Sequence, residues 1–248
     1  KPVAVLWRND SPTRELEGLE RTVADAAGAV PETVEIEEDG LRFQVAPRTG
    51  QKTGWFYDQR DNRARLDRYV QGQRVLDVFS YVGAWGARAA ARGAREVLCV
   101  DSSAAALEQL TANAAFNGVG SQVRTQRGDA FEVLKALREA RERFDVVIVD
   151  PPAFVKRRKD FKEGALAYRR LNEMAMQVLE RDGILVSCSC SQLLTRETLT
   201  QTLLQGARHL DRNLVILEQG QQGPDHPVHP AIPETDYLKV ILARVLPG

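Results

Sequence analysis

Asp77, Asp101, Asp129 and Asp150 each sit at or just beyond a short aliphatic run. In an open sheet of parallel strands that is where ligands collect. Asp101 lies 24 residues after Asp77, and a carboxylate there is placed to accept both hydroxyls of a ribose. Asp129, after Gly128, can meet an adenine amino group. Either residue also suits the N-cap of the helix that follows it. Gly83 and Gly86, in Asp77-Val-Phe-Ser-Tyr-Val-Gly-Ala-Trp-Gly86, allow close approach of backbone to a ligand, or simply a tight turn. The segment has neither the G-x-G-x-x-G of a dinucleotide fold nor the G-x-x-x-x-G-K-[ST] of a P-loop. Three acidic strand ends in succession outline a nucleoside-shaped site.

Asp150 opens a different kind of segment, Asp150-Pro-Pro-Ala-Phe154. Pro151 and Pro152 make a rigid extended turn that holds the carboxylate at the sheet edge. The next aliphatic run ends in Ser187-Cys-Ser-Cys-Ser191. If the two strands are neighbours, a thiol and a carboxylate face one crevice, as covalent catalysis with an acid partner requires. A strand-end cysteine is also commonly a small buried hydrophobe. Alternation points Cys188 and Cys190 the same way, so their spacing does not choose between them.

The elements that must position these residues follow from hydrophobic patterning. Apolar runs at 74–79, 96–100, 122–126, 144–149 and 183–187 alternate with helix-length stretches at 84–92, 104–116, 130–141, 164–179 and 196–208. Runs at 214–218 and 237–243 close the chain, the last expected to be antiparallel. This predicts an α/β fold with a mostly parallel, Rossmann-like sheet over residues 71–248. Residues 1–70 predict a small β appendage and an entry segment, with alternation on both sides of Asp39-Gly40 marking a hairpin.

Composition bounds the partners. The 248 residues are 43% hydrophobic and 27% charged, which excludes a disordered chain and a collagen-like one. Lys plus Arg and Asp plus Glu are both 34, so a polyanion must meet locally concentrated charge. Between Val155 and Arg170 seven basic side chains (Lys156, Arg157, Arg158, Lys159, Lys162, Arg169 and Arg170) face only Asp160 and Glu163. Directly after the Asp150 turn, such a loop suits phosphate contact. His226 and His229 lack further ligands at metal spacing, and no metal is expected. Three cysteines without disulfide spacing suggest a cytoplasmic setting. No membrane-length apolar run occurs, and a chain beginning at Lys1 reads as a fragment of something longer.

Taken in order, the segments resemble class I S-adenosylmethionine-dependent methyltransferases. More narrowly, they resemble the ribosomal RNA large subunit methyltransferase I family, which forms 5-methylcytosine in 23S rRNA. The matching pieces are Arg8-Asn-Asp10, Glu17-Gly-Leu19, Lys52-Thr-Gly-Trp-Phe-Tyr-Asp-Gln-Arg60, Asp77–Gly83, Asp150–Phe154, Ser189-Cys-Ser191 and Asp225-His-Pro-Val228. The resemblance implies S-adenosyl-L-methionine as cofactor, held by Gln59, Arg60, Asp77, Phe79, Ser80, Tyr81, Gly83, Asp101, Asp129 and Asp150. It implies Cys190 as the nucleophile and Asp150 as its partner. Pro151, Pro152, Phe154, Lys156, Arg157, Arg158 and Lys159 would meet RNA, with Phe154 or Tyr81 either stacking on an unstacked base or packed in the core. Two departures stand out. Ala153 replaces a second cysteine that many RNA cytosine-5 enzymes carry, and the family's usual N-terminal PUA domain is absent. A nitrogen methyltransferase of the same fold and a non-catalytic RNA-binding module are the competing functions.

Overall fold

The computed structural model describes residues 2–11, 13–51 and 53–248, so Lys52 of the entry segment lies outside the described residues. The chain divides into two compact units, Lys1–Tyr57 and Asp58–Gly248.

In the first unit β1 (Val5–Asn9) pairs antiparallel with β2 (Thr22–Ala27), and the short α1 (Thr13–Leu16) connects them. The expected hairpin forms from β3 (Val34–Glu38) and β4 (Leu41–Val45). Its turn residues Asp39 and Gly40 have φ of 51° and 79°, the left-handed pair that matches the twist of the flanking strands. Phe43 and Trp55 are buried with ring centroids 4.6 Å apart, and the Trp55 indole donates to Glu38 Oε2 at 3.1 Å.

The second unit opens with α2 (Arg60–Leu66), then alternates β5 (Arg74–Val78), α3 (Ala84–Ala91), β6 (Glu96–Asp101), α4 (Ala104–Phe116) and β7 (Val123–Arg127). It continues with α5 (Ala130–Glu139), β8 (Phe144–Val149), α6 (Phe161–Gln177), β9 (Leu179–Ser189), α7 (Arg196–His209), β10 (Arg212–Gly220) and β11 (Lys239–Pro247). The seven strands lie in the order β10-β11-β9-β8-β5-β6-β7. The five from β9 to β7 are parallel. β11 is antiparallel to both neighbours, β9 and β10. The α/β sheet with an antiparallel last strand is thus as the sequence predicts.

Alternate residues of each strand feed two apolar layers. Leu76, Leu98 and Val147 meet α5, α6 and α7. Val75, Val97 and Ile148 meet α3 and α4 on the other face. Each such side chain, removed fully from water, contributes about 1.5–3 kcal/mol. Strands covered on both faces must be apolar throughout, which is why Phe144–Val149 shows no polar alternation beyond Asp145.

The break between the compact units falls after Tyr57, before α2. Leu66 and Val70 are wholly buried in the same layer as Val75, and Arg65, Arg68 and Tyr69 all reach the Glu218 carboxylate of β10 at 2.8 Å. This short helix carries no apolar stripe and went unread in the sequence. Among the described residues no helix is long and apolar enough to cross a membrane.

Candidate active site

The first strand-to-helix turn is built under constraint. Phe79 and Tyr81 have φ of 67° and 48°, and Gly83 has 90°. Two non-glycine residues in the left-handed region cost on the order of 1–3 kcal/mol each, so their surroundings must enforce them. The Phe79 and Ser80 amides both donate to Val100 O, at 2.9 and 3.0 Å. The Tyr81 amide donates to Asp101 Oδ2 at 2.9 Å, while Ser103 N donates to Asp101 Oδ1 at 2.9 Å. Asn113 Nδ2 holds Val82 O at 3.0 Å. Asp101 therefore fastens the turn and does not cap α4; Ser103 does, accepting from Ala106 N at 3.2 Å. Asp129 is an N-cap, its Oδ1 accepting from Phe131 N and Glu132 N at 2.9 and 3.2 Å.

Asp77 lies beneath this turn with no exposed surface, and among the described residues neither carboxylate oxygen has a hydrogen-bond partner of ordinary geometry. Burial, then the charges of Asp150 and Asp101, push its pKa up to about 8, opposed only by the nearby Gly86 amide. The Ser80 hydroxyl is likewise buried without a partner. Gly86 is explained by packing: a Cβ there would stand 2.3 Å from Cys99 Sγ.

Asp150 ends β8 on the adjacent strand. Its Oδ2 accepts from Gln59 Nε2 and from the Trp85 indole, both at 3.0 Å. Gln59 is itself fixed, its Oε1 accepting from Asn62 Nδ2 at 2.8 Å. Trp85 and Asn62 are site residues the sequence reading missed. Only the position of Trp85, two residues beyond Gly83, hinted that its indole could face the crevice. Arg60 is more exposed and pairs with Asp61 at 3.4 Å. Pro151 is buried and Pro152 exposed.

Cys188 and Cys190 prove distinct. Cys188 has no exposed surface, and burial raises its thiol well above the ordinary range, with Asp150 adding to the effect. Cys190 is half-buried, with its Sγ 4.0 Å from Pro151 O, the carbonyl next to Asp150. The two serines flanking it are structural. Ser189 Oγ accepts from Ser191 N at 3.2 Å. Ser191 Oγ meets the Tyr168 hydroxyl at 2.9 Å and the Val155 amide at 3.1 Å. The Ser-Cys-Ser pattern thus locks the turn that presents Cys190.

Phe154 is half-buried and packs on Tyr168 at 4.8 Å and Phe131 at 6.4 Å. Tyr81 lies in the Asp101-fastened turn. Lys156, Arg157, Arg158 and Lys159 are all exposed. Arg157 pairs with Asp160 at 2.8 Å and Arg169 with Glu173 at 2.7 Å, so the loop's surplus charge resides mainly in Lys156, Arg158, Lys159 and Lys162. His226 lies 3.3 Å from Asp225.

A parallel sheet with β11 reversed, a fastened acidic turn after β5, and Cys190 Sγ 4.0 Å from the Pro151 carbonyl that follows β8 are features of a methyltransferase fold. The chain belongs to the S-adenosylmethionine-dependent methyltransferase family, which it matches over residues 19–244. It is 38% identical over 245 residues to ribosomal RNA large subunit methyltransferase I of Erwinia tasmaniensis, covering 98% of this chain and 62% of that protein. The Citrobacter koseri protein of the same name is 37% identical, with the same coverage. The chain thus spans less than two thirds of these curated relatives. Among solved structures, a methyltransferase designated SMU.776 and complexed with SAH superimposes with a TM-score of 0.80. It is 26% identical, over 90% of this chain and 58% of that one.

The site's residues fit S-adenosylmethionine, a cation. Among the described residues the Asp77 carboxyl beneath the turn and the Ser80 hydroxyl within it are buried without an ordinary hydrogen-bond partner, and a bound sulfonium would favour the ionised form of Asp77.

Proposed function

We propose that this chain methylates C5 of a cytosine in RNA, with 23S rRNA as the substrate and Cys190 as the nucleophile. The observation that carries the reading is the contrast between the two cysteines. One is sealed in the core, while the other is half-buried beside the Asp150 turn and held by two serines. The names of the 37–38% identical relatives supply the RNA class, and a cytoplasmic setting follows from that substrate.

Cytosine C5 is a weak carbon nucleophile. A Cys190 thiolate adds to C6, forming an S–C6 bond and moving the ring's electron pair toward C5. S-adenosylmethionine held there would supply an electrophilic methyl group to that carbon, its sulfonium sulfur leaving as a neutral thioether. Loss of the C5 proton to a base then restores the double bond and expels the thiolate. Asp150, fixed by Gln59 and Trp85, would hold the N3 and amino edge as charge develops there. Asp77, Phe79, Ser80, Tyr81, Gly83, Asp101 and Asp129 would line the cofactor, with Gln59 and Arg60 closing over it. The exposed basic residues 156–159 would hold phosphates, and Pro151, Pro152 and Phe154 would shape the base pocket.

The test is to incubate the protein and S-adenosylmethionine with 23S rRNA containing 5-fluorocytidine. Fluorine at C5 blocks the final proton loss, so a denaturant-resistant protein–RNA adduct is expected. It should survive Cys188→Ala and vanish with Cys190→Ala. Methyl transfer to a purine nitrogen without an adduct would refute the cytosine reading.

A further inference from the structure

The last strand brings a charged group into the core beside the Ser-Cys-Ser turn. Lys239 begins β11, pairs with Ser189 across the sheet and is only 4% exposed. Its Nζ donates to Ser191 O at 2.7 Å and to Tyr237 O at 2.8 Å. An ammonium has three N–H donors, and among the described residues the third has no protein acceptor. No carboxylate lies within ion-pair distance of it among the described residues. A buried lysine without a counter-ion opposes folding, so its place calls for a reason.

We infer that Lys239 is a positioning residue for Cys190, its buried ammonium holding the turn through Ser191 O and favouring the thiolate of the nucleophile. This rests on the cytosine reading above, in which Cys190 attacks as a thiolate. The charged and titratable groups around Lys239 and Cys190 come from several elements, and the Asp150 carboxylate, one residue before the Pro151 carbonyl that Cys190 Sγ meets, opposes a thiolate there. Asp236 lies just before β11, Arg196 at the start of α7, and Cys190 after β9. Tyr237 lies between Asp236 and Lys239, and its hydroxyl donates to Asp58 Oδ2 at 2.7 Å. Tyr168, from α6, bonds Ser191 Oγ. Burial lowers the Lys239 pKa to about 8, and Arg196 acts in the same direction. Asp236 and a Cys190 thiolate push it back up. Coupling is reciprocal, so the ammonium lowers the thiol by as much as the thiolate raises the amine. Near neutral pH the amine is mostly charged, and that charge sits on the turn that carries Cys190. The proton leaves Cys190 for solvent, and the negative charge left behind faces the ammonium.

The test titrates the thiol itself. The folded enzyme is alkylated with iodoacetamide from about pH 5 to about pH 10, spanning the ordinary cysteine value of about 8.5. Peptide mass spectrometry reads Cys190, with sealed Cys99 and Cys188 as internal controls. The wild-type midpoint should fall below about 8.5. Lys239→Met should move it up by about one unit, slowing alkylation at pH 7 roughly tenfold. Lys239→Arg should stay near wild type. An unchanged midpoint in folded Lys239→Met overturns the inference. If that variant does not fold, the wild-type midpoint decides, and a value at or above about 8.5 overturns it. No RNA or cofactor enters this measurement, so it fails separately from the adduct test. An adduct with an unshifted thiol removes only the role of Lys239. A lysine-dependent thiol without an adduct removes only the cytosine reading.

Discussion

The Asp77 carboxyl makes folding depend on pH in an unusual direction. In the unfolded chain it ionises near pH 4, whereas burial and the charges of Asp150 and Asp101 hold it protonated in the fold up to about pH 8. Between those values the folded state binds the extra proton, so stability falls as pH rises from about 4 to about 8 and levels off above. Each unit of such displacement corresponds to about 1.4 kcal/mol. Asp77→Asn, which has no proton to lose, should flatten this slope and be more stable than the wild type at pH 8. Urea unfolding at several pH values checks it, and parallel curves for the two proteins would show that Asp77 is not the titrating group. Lys239 acts at the alkaline end. Its folded pKa near 8 lies below the ordinary lysine value of about 10.4, so this group adds stability as pH rises between the two.

At the level of elements, the sheet positions the side chains at its edge by close packing. Gly86 lets α3 settle onto β5 and β6, with Cys99 Sγ where a Cβ would need to go. Ala in a helix is worth about 1 kcal/mol over Gly, but overpacking a core costs about 1–3 kcal/mol. Gly86→Ala should therefore destabilise the protein by up to about 2 kcal/mol, measured by chemical denaturation. A stabilised variant would mean that α3 can lift off the sheet freely. Most of these elements were legible because their signals are local: α4 and β8 begin and end where the apolar patterning says. The Asp39-Gly40 hairpin was equally plain, since its turn chemistry is written in two adjacent residues. What escaped was tertiary. α2 is held by Arg88–Asp67 and Glu218 contacts rather than by an apolar stripe. The Trp85–Asp150 bond spans 65 residues, and the choice between Cys188 and Cys190 rests on burial that spacing cannot express. The roles of Asp101 and Ser103 also parted only in three dimensions, because both residue types suit a cap.

For the whole molecule, a net charge of zero means that any grip on RNA must come from one surface. Under the proposed RNA function, the exposed basic loop after Asp150 is the candidate for that surface. Replacing Lys156, Arg158 and Lys159 together by Ala should weaken RNA binding across all sequences. It should also reduce the slope of log affinity against log salt by roughly two, given about 0.7–0.9 per phosphate contact. Fluorescence anisotropy in about 50 to about 200 mM KCl reads the slope, and an unaltered slope would place the RNA elsewhere. The sheet order has a consequence for how the protein is made. β11 is the last strand in sequence yet lies between β9 and β10, so on the ribosome β10 emerges before the strand it pairs with. A nascent chain can assemble the parallel strands and their helices while this edge stays open, but Lys239 arrives only with the closing strand. Completion of the sheet and completion of the cysteine's surroundings are therefore the same late event, and a chain halted between Cys190 and Lys239 carries the thiol without the lysine.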